Sequence, residues 1–320
     1  MNSRLVLPRT LSIAWAALFL IAVLASPMVS RATYKGANGR IAFVAHTTGT
    51  WQLYTMNPDG SDLFQVTNLP PTENLAWFPD YSPDGTRIVF CHDLTGAVEL
   101  YVINVDGTGL KQLTHDGTEN IFPRWSPDGK RIVFSNLFAP DFGFHHLVTM
   151  NADGNDRRQI TDRLWDDYQP EYTADGRHII FSSNVGGLVS ALWVINLDGS
   201  GQRRLTAAAL EAGGADLSPD GRHMVFYDHQ NTANSTDLWV SNINGTGLKE
   251  LTDPAQLNAG NPVYSPDGTK ILFNAASLSD PNPHLYVMNS NGTGLSLLSD
   301  CTDGCPLPDW GAQPQPAAQR

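Results

Sequence analysis

The chain has 320 residues, with 32 acids against 20 lysines and arginines and a formal charge of −12. A chain of that sign is a poor partner for nucleic acid or for an anionic membrane surface, so neither is expected. Its three cysteines are too few for a disulfide framework.

Residues 1–10 carry Arg4 and Arg9 and no acid, and Leu11 to Leu24 is an apolar run. With Ser30-Arg31-Ala32 at a plausible cut site, residues 1–32 are expected to be a secretory signal peptide cleaved after Ala32. If the apolar run extends to Val29 it approaches spanning length, which leaves an uncleaved anchor as the alternative. After cleavage no membrane insertion is expected, and the mature chain is placed in the periplasm or outside the cell.

From residue 38 the chain repeats itself. NGRIAF (Asn38–Phe43) is a worn copy of YSPDGTRIVF (Tyr81–Phe90), and WSPDGKRIVF (Trp125–Phe134), YTADGRHIIF (Tyr172–Phe181), LSPDGRHMVF (Leu217–Phe226) and YSPDGTKILF (Tyr264–Phe273) follow. The turn aspartates Asp84, Asp128, Asp175, Asp220 and Asp267 are 44, 47, 45 and 47 residues apart. Periods of this length mark propeller blades or solenoid arrays. Pro presets φ in the turn, Asp favours the next position, and Gly takes the left-handed residue after it, giving a hairpin with a bulge.

Each period then contains a third strand ending in Asp-Gly or Asn-Gly, as in LYTMNPDG, LYVINVDG and LWVSNING, and a short fourth strand closing on Thr or Ser. Four strands make a blade, and six radial copies make a propeller. The first strand is missing from the first blade, and Cys305-Pro306-Leu307-Pro308-Asp309-Trp310 supplies it, because it matches Ile121-Phe122-Pro123-Arg124-Trp125. The expected fold is all-β: a six-bladed β-propeller over residues 33–312, closed by a C-terminal strand, with 313–320 as a flexible tail.

These repeats resemble the WD40-like repeats of the TolB-type propeller family over roughly residues 34 to 312. Similar repeats occur in the propeller domains of prolyl-oligopeptidase-class peptidases and in oligogalacturonate lyases, so the resemblance implies a fold that hosts binding modules and enzymes alike. It also implies differences. TolB carries an α/β domain before its propeller and the peptidases carry an α/β-hydrolase domain, and neither has room here, so a stand-alone monomeric propeller is expected.

The SPDG and Asn-x-Asp-Gly turns fall on one face, nearly invariant from blade to blade. Connections between strands two and three, and between blades, fall on the other and vary, as binding loops do. Candidate binding residues on this variable face are His46, His92, Asp93, His145, His146, Asp228 and His229, with loop tryptophans Trp77 and Trp165 suited to anchoring a peptide or stacking on a sugar. The alternative for each histidine is a solvated loop residue or strand-end hydrogen-bonder. The repeated Asp-Gly pairs are explained by turn chemistry without calcium, and no catalytic fingerprint, cofactor or metal site is assigned. Cys301 and Cys305 are expected to bridge in an oxidising compartment, with two free thiols as the alternative; Cys91 reads as a small core residue.

The expected function is an exported binding scaffold for a protein or peptide, with a glycan as a further possible ligand. The rival is a metal-assisted lyase or hydrolase on an acidic glycan, which the lyase resemblance implies. Convergence of three or more of the histidines on one point would separate the two.

Overall fold

The structure, a computed structural model, describes residues 35–46, 50–70, 77–138, 143–185, 189–207, 210–231, 235–253, 256–277, 279–299 and 307–314. The leader and the Cys301–Cys305 pair lie outside the described residues. Within them six four-stranded antiparallel sheets form a ring. First strands are Asp309–Ala312 in blade 1, Asp80–Tyr81 in blade 2, Asn120–Trp125 in blade 3, Asp167–Tyr172 in blade 4, Gly213–Leu217 in blade 5 and Leu257–Tyr264 in blade 6. Each touches the first strand of the next blade and the sixth returns to the first, so these strands surround the axis. Among the described residues no helix is long and apolar enough to cross a membrane.

The repeat motifs act as their chemistry requires. In every SPDG-type turn the Gly N–H donates to the first residue's carbonyl, at 2.7–2.8 Å, for example Gly85 to Ser82 and Gly268 to Ser265. The glycines there have φ of +63 to +72°, which side-chain-bearing residues rarely adopt. The aspartate's oxygen takes the N–H two residues on, as in Thr86 to Asp84 at 3.0 Å, so turn geometry alone accounts for the Asp-Gly repetition. The basic residue that opens strand two is fixed as well, since Arg131 reaches Asn151 and Asp156 of the neighbouring turn, both at 2.9 Å.

Beyond the turns, the strand-two phenylalanines Phe43, Phe90, Phe134, Phe181, Phe226 and Phe273 are all buried and form the spine of the inter-blade core. The threonine that closes strand four has an equally regular role. Thr67, Thr114, Thr161, Thr206 and Thr252 accept the backbone N–H of Leu53, Leu100, Leu147, Leu192 and Leu238 at 2.9–3.0 Å. Each such bond covers a buried donor that would otherwise cost about 1–3 kcal/mol.

The C-terminal strand completes blade 1 as the repeat count predicts. Asp309–Ala312 pairs antiparallel with Asn38–Ala45, Trp310 opposite Ile41 and Ala312 opposite Asn38. Trp310 is buried, and its indole N–H donates to the Gly39 carbonyl at 3.3 Å. The clasp therefore joins strands 271 residues apart in sequence through backbone pairing, apolar burial and one side-chain bond.

Neighbouring blades meet at a second point, where the strand-three turn lies on the fourth strand of the blade before it. A Cβ on Gly245 would stand 2.1 Å from the Leu205 carbonyl oxygen, at a φ of +84°. Gly117 has a similar φ of +69° but nothing within 4 Å. Gly117→Ala should cost only the left-handed penalty, on the order of 1–2 kcal/mol, while Gly245→Ala must also push two blades apart. Denaturant melts of the two variants compare these effects directly, and equal midpoints would mean that the blade contact yields freely.

Candidate functional site

Every first strand carries the same local pattern three residues before its final aromatic or leucine. Phe78, Phe122, Gln169, Gly214, Asn261 and Leu307 occupy equivalent positions, and all six have positive φ, between 36 and 61°. Each marks the point where the first strand bulges as it crowds the axis, with register shifts at Ile121/Arg124, Tyr168/Glu171, Gly213/Asp216 and Gly260/Val263. Five of the six are followed by proline: Pro79, Pro123, Pro170, Pro262 and Pro308. Non-glycine residues held this way cost of order 1–3 kcal/mol each and persist only where the surroundings over-determine them.

Two residues further on, the strands present Asp80, Arg124, Glu171, Asp216, Val263 and Asp309. Four carboxyls and one guanidinium thus meet in the channel. The Asp309 carboxylate accepts the Tyr81 N–H at 2.7 Å, Asp80 accepts Trp125 at 2.7 Å, and Asp216 accepts Tyr264 at 2.6 Å. Each bond runs from one blade to the next. Arg124 lies 3.1 Å from Glu171 and 4.0 Å from Asp80, tying blade 3 to both of its neighbours.

Burial pushes all four carboxyls upward, Asp216 to about 7 and Asp80 and Glu171 well above the carboxylate range, while Arg124 and the backbone donors oppose it. Neighbouring carboxylates push Asp80, Glu171 and Asp216 further in the same direction. Four acids around one arginine cannot all ionise at low cost, and the cluster retains protons that exposed acids would release. The channel at this level is narrow, about 30 Å³.

A wider space opens on the variable face between blades 5 and 6. This cleft of about 680 Å³ is lined by Glu211, Tyr227, His229, Thr236, Asn258 and Asn274. Thr236 joins the two blades, its N–H and hydroxyl both reaching the Asn258 side-chain oxygen, at 2.9 and 2.8 Å. Tyr227 lies across Gly213 and Gly214, where a Cβ would strike its ring at 3.1 and 2.3 Å, and its hydroxyl meets Gln169 of blade 4. The sequence EAGGADL departs from the proline pattern here, and the paired glycines admit the tyrosine. The cleft therefore runs up to the channel mouth.

The residues expected on the variable face fall into three groups. Trp77, His92 and His146 are interior. Trp77 stacks on Phe90 with ring centroids 5.7 Å apart, and His92 stands edge-on to it at 4.5 Å. Burial holds the His92 imidazole below its ordinary pKa. Asp228 is also buried, at the same repeat position as His92, two residues beyond the strand-two phenylalanine, and its carboxyl is pushed up to about 6. Side chains alternate along a strand, so the position two beyond a buried phenylalanine shares its face and the next one turns away.

The next position carries His46, Asp93 and His229, and these are more open. His46 packs on Trp51 at 5.4 Å, Asp93 lies 3.5 Å from His92, and His229 is exposed in the cleft. His145 sits between Asp166 at 3.1 Å and Glu119 at 3.6 Å, and Trp165 is half-buried in the loop before blade 4. Among the described residues no group of three or more His, Cys, Asp or Glu side chains is disposed to hold a metal ion. Cys91 is fully buried, and its thiol is pushed well upward by that burial.

Six closed blades with bulged, charged first strands define a TolB-type propeller rather than a sandwich or an open solenoid. The chain belongs to the TolB β-propeller family: the TolB beta propeller domain matches residues 26–212 and 140–313. The fold is similar to that of TolB from Acinetobacter baumannii (TM-score 0.73, 22% identity, 86% of this chain and 67% of that one). It is also similar to Kuenenia stuttgartiensis hydrazine synthase (0.71, 17%, 88% and 48%) and to an oligogalacturonate lyase in complex with manganese (0.59, 16%, 84% and 77%). These likenesses show the fold alone. No curated protein sequence matches the chain.

The axial cluster makes stability depend on pH in a stated direction. A carboxyl whose folded pKa lies above its unfolded value binds more protons when folded, so its contribution is lost as pH rises from about 4 to about 7. Asp216→Asn keeps an acceptor for Tyr264 and removes one such titration. Its melting temperature should fall less than the parent's between about pH 5 and pH 8. Equal falls in both proteins would place Asp216 at an ordinary carboxylate pKa.

Proposed function

We propose that the protein is an exported binding scaffold that holds an extended polypeptide segment on its variable face, in the cleft between blades 5 and 6. The observation that carries this reading is the cleft itself: about 680 Å³, contiguous with the channel mouth, and lined by amide, hydroxyl, imidazole and phenol groups. Such groups pair with a peptide backbone, whose donors and acceptors alternate, and Tyr227 adds an aromatic wall. The basic, apolar and small-residue order of residues 1–32 supports export.

An enzyme acting on an acidic glycan is the weaker reading. It draws support from the fold shared with an oligogalacturonate lyase, but beside the cleft the one described axial cation, Arg124, is already engaged by Glu171 and Asp80, so a polyuronate carboxylate would lose its water there and gain no free cation.

The test uses the purified mature protein, immobilised and exposed to the exported-protein fraction of its own cells. His229→Ala combined with Glu211→Gln should weaken retention of the captured partner by about 1–3 kcal/mol and leave the melting temperature close to the parent's. Asp128→Lys, in an invariant turn on the opposite face, should lose some stability and no binding. If the turn variant releases the partner and the cleft variant keeps it, the working face is the other one.

A further inference from the structure

A positive φ costs free energy at any residue but glycine, and it persists where the surroundings enforce it. Among the described residues eight that are not glycine have one. Five are the axial bulges Phe78, Phe122, Gln169, Asn261 and Leu307, and two, Asp62 and Asp156, are turn residues that accept from Arg40 and Arg131. The fold accounts for all seven. Glu211, with a φ of 42°, is the eighth, and Glu119, Asp166 and Asn258, at the aligned positions of blades 3, 4 and 6, do not share it. Those three side chains are engaged, Glu119 and Asp166 with His145 and Asn258 with Thr236. The Glu211 carboxyl has no hydrogen bond or ion pair among the described residues.

The chain on either side explains how the side chain is presented. Leu210 and Ala212 are buried in the core between blades 4 and 5, and the Ser190 hydroxyl donates to the Ala212 carbonyl at 3.0 Å. With both neighbours anchored, the left-handed turn at Glu211 leaves it half-buried on the wall of the cleft. Of the described residues that line the cleft, Glu211 is the one Asp, Glu, Lys or Arg. The field at this end of blade 5 has one sign: burial pushes the Asp228 carboxyl up, and Glu250 and Glu211 push it further.

We infer that the segment held in the cleft carries a basic side chain, lysine or arginine, and that Glu211 is the residue that selects it. The inference rests on the proposed reading of the cleft as a peptide site and adds the charge of the ligand. A half-buried carboxyl among amides and hydroxyls gains most from a cation that brings its own N–H donors, because a charge-assisted hydrogen bond is stronger than a neutral one. One carboxyl matches one ammonium or guanidinium. A divalent metal takes several oxygen ligands, and no group of three His, Cys, Asp or Glu side chains able to hold one is present among the described residues. An acidic segment would set carboxylate against carboxylate, which disfavours the charged form of both.

A random peptide library displayed on phage, selected on the immobilised mature chain, supplies the probe. The parent should enrich lysine and arginine over aspartate and glutamate. Glu211→Gln should lose that bias and Glu211→Lys should reverse it, with melting temperatures close to the parent's because the Glu211 side chain bonds to nothing in the fold. A synthetic copy of the strongest binder should bind Glu211→Gln at least about tenfold more weakly than the parent. The same peptide with its basic residue replaced by glutamine should not distinguish the two proteins. A basic bias that survives in Glu211→Gln reflects the net charge of −12 and overturns the inference. Ala276→Trp, which narrows the cleft from its blade 6 wall, separates this from the reading beneath it. Binders that Ala276→Trp excludes but that ignore the charge at 211 overturn the basic ligand and keep the cleft. Binders that ignore Ala276→Trp overturn the cleft itself, and a parent that enriches no peptide overturns both.

Discussion

The ring depends on a bond made at its axis: the carboxylate of one first strand accepting the backbone N–H of the next. Asp309 to Tyr81, Asp80 to Trp125 and Asp216 to Tyr264 make three of the six steps, and Arg124 to Glu171 makes a fourth by charge. Blades also touch through apolar faces, which pack well but do not set register, and through scattered polar links such as Thr236 to Asn258 and Tyr227 to Gln169. The axial bonds do set it, because the acceptor must stand one residue before the aromatic that fills the inter-blade core. The crowding that brings them together also bends each first strand, so positive φ recurs at six equivalent positions.

That arrangement divides the molecule by chemistry. On one face the repeated polar groups are committed: turn aspartates to turn N–H groups, turn asparagines such as Asn104 and Asn196 to Thr and Ser hydroxyls, and the strand-two arginines Arg40 and Arg131 to those turns. On the other face the groups lining the cleft are only partly committed. His229 and Glu211 lie there outside the bonds that hold the blades together, while Thr236 and Asn258 link two blades and still border open space. This contrast between the two faces is what supports the proposed placement of binding in the cleft.

How much of this is legible in the sequence follows from what a repeat can and cannot show. Turn type, strand order and the closing Trp310 are local or register facts, and register survives in a linear alignment. The expected histidines and tryptophans of the variable face are not separated by burial in a linear reading, and one residue along the strand separates buried Asp228 from exposed His229. His146 reads as part of a long loop, although it aligns with Gln52, Glu99 and Asp237, all buried third-strand positions. The axial acids are visible in the strings FPDY, QPEY, GADL and LPDW, in the same alignment that reveals the clasp. What no alignment displays is that six such positions converge, because convergence belongs to ring closure and not to any one blade.

The acidic axis also constrains what the cleft can hold. A ligand approaching the channel mouth meets carboxyls that retain protons because ordinary hydration is denied them, and Arg124 is already engaged by two of them. Among the described axial residues no cation is left to greet a carboxylate or a phosphate, so an anionic group brought to the axis would lose its water and gain no partner. A neutral polypeptide segment loses less, since its amides can exchange water for Asn258, Asn274 and Tyr227. If the cleft is the binding site as proposed, the axis beside it disfavours anionic ligands, and the axial hydrogen bonds keep the blades in the register that builds the cleft.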